Sequence, residues 1–458
     1  MKVAVIGAGA AGMIAALESS KNGNETILFE KNEKLGKKLY ITGKGRCNLT
    51  NFCDESEFLE NIPSNPYFLY SSIYTFNSEV CIKYFENLGL KLKVERGNRV
   101  FPESDKSSDV IKALEKALVK NGVKIRLNTC VEDILIENDK LKGIKVLNED
   151  ISFDKVIIAT GGLSYPQTGS TGDGYRFAKS TGHEITALYP SLVSIEVCEK
   201  WISDLAGLSL KNVELSLKQG KKTIYKNFGE MLFSHKGISG PIVLSASRKI
   251  IDIRACSHYK NGNICEPDFS PFKERERRYR SVIHQASTTK NGGIISRKDD
   301  YSLAGTRPKQ PFDIFIDLKP ALTEKELDLR LLKDFEKFIN KDFKNALDDL
   351  LPQKLIPIFV MLSGISPDKK INEITKLERN KITHMLKNFK LTFKNLGGYN
   401  EAVVTAGGVS VKDIDPSTMQ SKKVAGLYFA GEVIDVDGFT GGFNLQIAFS
   451  TGYVAGQN

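Results

Sequence analysis

The chain has 458 residues, 41% hydrophobic and 26% charged, which excludes wholesale disorder and is too long for a single core. Its formal net charge of +10 invites nucleic acid or a membrane surface, yet Arg254 to Lys309 alone holds 12 Lys/Arg against 6 Asp/Glu, or +6 of that total. No run reaches the ~18 apolar residues that span a bilayer, and seven cysteines without a C-x-x-C fit a reducing compartment, so a cytoplasmic protein is expected.

At the N-terminus, Val3 to Ile6 reads as a buried strand, Ile14 to Ser20 as a helix and Thr26 to Glu30 as a second strand. Gly7, Gly9 and Gly12 break the apolar start, unlike the core of a signal peptide. They occupy G-x-G-x-x-G at the strand–helix junction, where glycine allows a tight turn, backbone approach to a pyrophosphate and close helix packing. The helix N-terminus then turns N–H groups and partial positive charge toward phosphates. Glu30 follows Gly12 by 18 residues, where a carboxylate can accept from ribose hydroxyls. A dinucleotide site is expected, and the motif alone leaves FAD and NAD open.

Next, LGKKLYITGKGRCNLTN (Leu35 to Asn51) is basic and glycine-rich. It begins soon after Glu30, which argues against a free nucleic-acid arm. Gly36, Gly43 and Gly45 let the backbone pass close to a cofactor, Lys37 and Lys38 can offset pyrophosphate charge, and Arg46, Cys47 and Asn48 can reach further along it. An ion pair is the bland alternative for Arg46, and packing is the expected role of Cys47.

Between Val123 and Gly162, VKIRLN, VEDILIEN and LKGIKVLN read as short strands before FDKVIIATGG returns to an apolar one. This resembles the meander and return strand of the glutathione-reductase-type FAD domain, with Thr160, Gly161 and Gly162 turning over the adenosine half. SYPQTGSTGDGYRFAKSTGH, with Asp173 and Gly174, resembles the T-G-D-G segment of fumarate-reductase-like flavoproteins. Near the C-terminus, Gly426 to Ala430 reads as a strand ending at Gly431 and Glu432. Gly441, Gly442, Phe443 and Asn444 then open a helix whose N-terminus can stabilise negative charge on a flavin.

Taken with RVFPESDKSSDV, MLFSHKGISGPIVLSAS and EAVVTAGGVSV, these stretches make the chain resemble the BaiN/aminoacetone-oxidase-like family of FAD-binding proteins over nearly its whole length. The resemblance implies an α/β fold: a glutathione-reductase-type, Rossmann-like FAD domain, discontinuous in sequence, with an inserted β-barrel-like domain and a small helical domain. The expected division gives residues 1–188 and 399–458 to the FAD domain, 189–319 and the return strand 389–398 to the barrel, and 320–388 to the helical unit. SLVSIEVCE, LKNVELSLKQ, KTIYKNFGEMLFSH and IVLSASRKIIDIR read as strands, and Leu322 to Asn388 as helical. Residues 254–310 form a polar, basic insertion expected to be disordered or loosely attached.

The expected cofactor contacts also include Ala10, Ala11, Lys31 and Val131. Metal is not expected. Tyr165 and His235 are candidate proton donors, with Arg46 a candidate for holding a substrate carboxylate or a cofactor phosphate. No second G-x-G-x-x-G is present, so NADH or NADPH is expected only as a transient reductant. The resemblance implies an oxidoreductase acting on a small or medium-sized molecule, reducing conjugated enones such as 3-oxo bile-acid intermediates or oxidising an aminoacetone-type amine with oxygen. An RNA-associated or sensing flavoprotein is the alternative from another class, disfavoured because most of the excess charge sits in one insertion. The sequence sets no oligomeric state.

Overall fold

The computed structural model describes residues 1–260 and 312–458. KVAVI at Lys2–Ile6 (β1) and ETILF at Glu25–Phe29 (β2) each bury their last four residues, as strands covered on both faces of a parallel sheet must. They pair in parallel, and β1 pairs on its other side with Lys155–Ile158. Leu427–Phe429 and Lys124–Arg126 complete a five-stranded parallel sheet. The strand beside Lys155–Ile158 thus comes from the far end of the chain, and the sheet closes only when both ends meet. The expected discontinuous Rossmann-like class is the one found.

Helix α1 (Ala10–Lys21) connects β1 to β2, and the final helix Phe443–Gln457 lies along it. Backbone closes this contact: a Cβ on Gly452 would sit 2.4 Å from the Ala11 carbonyl oxygen, and one on Gly456 2.6 Å from that of Ala15. Residues four apart on one helix meet residues four apart on the other, ridge against ridge. Carbonyl oxygens cannot swing aside, so Gly452→Leu must push the helices apart. The expected loss is about 3 kcal/mol, read as a lower melting temperature; an unchanged melt would show that the helices do not make this contact.

Val131–Glu137, Lys140–Val146 and Glu149–Ser152 form an antiparallel meander beside the sheet. The inserted domain is a closed barrel with strands in the spatial order Ile195–Val197, Gly237–Ser239, Lys222–Phe233, Ser209–Gln219, Phe312–Asp317 and Phe389–Leu396. The last of these pairs back to the first. In FDIFID every second residue is buried, the period a half-covered strand imposes. Helices Glu324–Lys337, Ile356–Ser363 and Lys376–Lys387 build the helical unit, the first and last each opened by a capping box, Thr323 with Glu326 and Thr375 with Glu378.

One expected strand is a helix. IVLSASRKIIDIR belongs to Pro241–Lys260, where Ile242, Val243, Ala246 and Ile250 are buried at spacings i, i+1, i+4 and i+8. The β-branched content suggests a strand, but the helical period of its apolar face prevails, and Pro241 suits a first helical position because it has no N–H to leave unbonded. Beyond Lys260, the polar insertion expected to end at residue 310 lies outside the described residues. Among the described residues, no helix is long and apolar enough to cross a membrane.

Candidate active site

The ends of β1, Lys155–Ile158 and Leu427–Phe429 open onto a cleft of about 360 Å³, at the carboxyl ends of parallel strands where ligands of open α/β sheets bind. The N-termini of α1 and of Phe443–Gln457 both reach it, through Gly9, Ala10 and Ala11 on one side and Gly441, Gly442 and Asn444 on the other. The close packing of those two helices sets this convergence.

The three glycines of G-x-G-x-x-G have different physical reasons. A Cβ on Gly7, at φ +100°, would meet the Ala159 carbonyl oxygen at 2.6 Å, and one on Gly12 would lie 1.8 Å from that of Gly7. These two glycines serve the protein's own packing. Gly9 has ordinary extended dihedrals, φ −80° and ψ −167°, and a Cβ there would meet no atom within 4 Å. Neither strain nor packing asks for glycine at this position; the open space belongs to a ligand running past the helix N-terminus. The Glu30 carboxylate accepts from the Ala8 N–H at 2.8 Å and the Asn32 N–H at 2.9 Å, which fixes it at the tip of β2 beside the glycine turn. Asn48 also lines the cleft, and its Oδ1 is buried without a partner, an acceptor awaiting a donor. These features fit an FAD.

Gly7, Gly9, Ala10, Ala11, Glu30, Lys31, Lys37, Lys38, Gly43 and Asn48 line the cleft, as do Val131, Thr160, Gly161, Asp173, Gly431, Glu432, Gly441, Gly442 and Asn444. Other expected residues stand behind its wall. Gly12 packs as described; a Cβ on Gly162 would run into the Thr405 hydroxyl and one on Gly174 into that of Thr160, while Phe443 meets Phe58 edge-on. Gly45 supports the left-handed turn at Lys44. Cys47 is fully buried, its thiol pushed up to about 12 by that burial, so it is a packing residue and not a ready nucleophile.

The three proposed chemical groups are placed elsewhere. Arg46 lies over the Phe101 ring and bonds Asp105 at 2.8 Å and Glu95 at 2.5 Å; hydrogen bonds to those carboxylates raise its pKa. Its guanidinium braces the 42–48 loop on the Leu92–Pro102 hairpin instead of facing the cleft. His235 is exposed in the turn between two barrel strands, where the Ser234 N–H donates to the Gly237 carbonyl. Tyr165 takes a left-handed backbone, φ 51°, and is outside the lining, its N–H bonded to the Tyr399 carbonyl.

Charge in the cleft is matched internally. Lys31 pairs with Asp173 at 2.6 Å, Lys37 with Glu33 at 2.8 Å and Lys38 with Glu432 at 2.5 Å. Glu432 also accepts from the Ser164 hydroxyl at 2.7 Å and the Thr405 N–H at 2.9 Å. The sequence reading missed the wall made by Val403, Val404, Val436, Phe439 and Thr440. Its signal was present in EAVVTAGG and DVDGFTGG, where apolar residues flank glycine turns.

Behind that wall Asp435 is partly buried, and the loss of water around it lifts its carboxyl from an ordinary 3.8 to about 6, with neighbouring Asp437 adding to the effect. An acid held above its unfolded value is harmless below pH ~4 and destabilises the fold as pH rises through 6. Asp435→Asn should therefore stabilise the protein by on the order of 3 kcal/mol at pH 8, with a gain that fades toward pH 4. Melting curves across that range check it, and a gain independent of pH would contradict it.

The family model described as HI0933-like protein Rossmann domain matches residues 1–458. The chain belongs to this family. It is 29% identical over its full length to a 3-dehydro-bile acid delta(4,6)-reductase of Clostridium scindens, covering 98% of that protein. It is also 29% identical, over 98% of this chain and 96% of the relative, to a ribosomal RNA dihydrouridine synthase of Haemophilus influenzae. The Escherichia coli protein of the same description is 26% identical over 99% of this chain and 96% of its own length. As an HI0933-like protein with this fold and cleft, the chain is an FAD-dependent oxidoreductase.

Proposed function

We propose that the protein reduces a carbon–carbon double bond conjugated to a carbonyl in a small or medium-sized organic molecule, with NADH or NADPH as electron donor. The net reaction takes NAD(P)H, one proton and the enone to NAD(P)⁺ and the saturated ketone. Bound FAD supplies the two-electron chemistry. Around it the chain contributes positioning: the glycine turn and the N-terminus of α1 receive the pyrophosphate, Glu30 the ribose, and the N-terminus of Phe443–Gln457 offers its positive end. Tyr165 and His235 lie outside the cleft lining and are not carried forward as proton donors.

The observation that carries the choice of substrate is the matched charge of the cleft: each lysine on its wall faces a carboxylate, and Val403, Val404, Val436 and Phe439 add an apolar side. Beyond the part that receives the pyrophosphate of FAD, that apolar side suits a largely apolar substrate better than a further phosphate chain. Names of full-length relatives support the reaction type, since one is a delta(4,6)-reductase and two make dihydrouridine; each description saturates a carbon–carbon double bond. Those two synthases and the +10 charge favour a second reading, in which the double bond is that of a uracil in ribosomal RNA. Holoenzyme with NADPH, offered a steroidal enone and unmodified ribosomal RNA in separate reactions, decides between them by mass. Two added hydrogens on the enone support the first reading, two on a uracil the second, and neither product sinks both.

A further inference from the structure

Residues 435–441 form a strap that supplies Val436, Phe439, Thr440 and Gly441 to the cleft wall. Side chains and backbone of the FAD domain hold it at several points. Asn65 Nδ2 donates to the Asp435 carbonyl at 2.7 Å, and the Phe439 N–H donates to the Asn61 carbonyl at 3.0 Å. Asn444 bonds both backbone groups of Gly438, at 2.8 Å and 2.7 Å. Asn444, expected to face the cofactor, thus gives its amide to the strap.

Asp437 points the other way. It is fully buried and meets Arg248, on the helix Pro241–Lys260 of the inserted domain, through Nε to Oδ2 at 2.8 Å and Nη2 to Oδ1 at 3.2 Å. The same guanidinium donates to Ser64 Oγ at 2.5 Å and to Asp252, and Ser191 Oγ donates to Asp437 at 3.2 Å. Arg248 is itself only 4% exposed. A bidentate pair this deep fixes distance and orientation together, and it links two units whose hydrophobic cores are otherwise separate.

We propose that Arg248 is a positioning residue that couples the seating of the barrel to the shape of the cleft wall made by Val436, Phe439 and Thr440. The consequence for turnover rests on the reading that this wall contacts the substrate, but the coupling itself does not. Lysine at 248 can reach one carboxylate oxygen and cannot reproduce the fork; methionine removes both bonds.

Hydrogen exchange on the full-length holoenzyme separates the two claims. In Arg248→Met the amides of 436–441 should exchange about tenfold faster or more, with those of β1 unchanged, and Arg248→Lys should fall between. With a turned-over enone, KM should rise while reduction of the flavin by NADPH keeps its rate. If Arg248→Met does not fold, the partial loosening in Arg248→Lys carries the test. Unchanged exchange at 436–441 in a folded variant overturns the coupling. Faster exchange without any change in KM overturns only the substrate contact, and failure of every enone to react leaves the exchange result intact.

Discussion

Gly9→Val should yield a folded protein that purifies without flavin. Its backbone angles suit any residue and its Cβ direction is empty, so the fold has no objection to a side chain there. The isopropyl group instead occupies the path of the cofactor past the N-terminus of α1. The expected loss of FAD affinity is about 100-fold or more, near 3 kcal/mol, read as the flavin-to-protein absorbance ratio beside a melting curve matching that of stripped wild type. Gly12→Ala should do the reverse and fail to fold, because its Cβ would lie 1.8 Å from the Gly7 carbonyl oxygen. A Gly9→Val protein with a full complement of flavin would mean that the ligand does not run along this helix.

Asp437→Asn has the second large effect, on stability. It leaves the Arg248 guanidinium, 4% exposed, without its full counter-charge, since Asp252 is partly exposed. Breaking one side of a buried pair costs about 3–5 kcal/mol, whereas replacing both partners by apolar groups is often neutral. The double variant Arg248→Met/Asp437→Leu should therefore recover most of what Asp437→Asn loses. Denaturation midpoints of the three proteins test this, and equal losses in single and double variants would place the stabilisation elsewhere than in the pair.

The sequence made the parallel sheet readable because three of its five strands are short apolar runs that give way to glycine turns: IGAG after β1, ATGG after Lys155–Ile158 and AGE after Leu427–Phe429. Their parallel pairing follows from the crossover topology, so the discontinuous domain was legible from both chain ends. Arg46 was not, because its partners Glu95 and Asp105 lie 49 and 59 residues away and nothing local announces them. Proximity to Glu30 in sequence suggested the cleft, but a planar cation with two carboxylates and a ring in reach turns to them. Lys31, Lys37 and Lys38 line the cleft, while their pairing with Asp173, Glu33 and Glu432 needed three dimensions. In IVLSASRKIIDIR residue type and period disagreed, and the period decided.

If the cleft works as proposed, it holds a flavin through which nicotinamide electrons reach a conjugated double bond. Anaerobic mixing of the holoenzyme with NADPH or NADH, followed by addition of a steroidal enone, tests it most directly. The predicted result is loss of the oxidised flavin absorbance with at least one nucleotide and its return on adding the enone, in step with formation of the saturated ketone. A flavin that neither nucleotide bleaches, or that stays bleached with enone and returns only with oxygen, would contradict it.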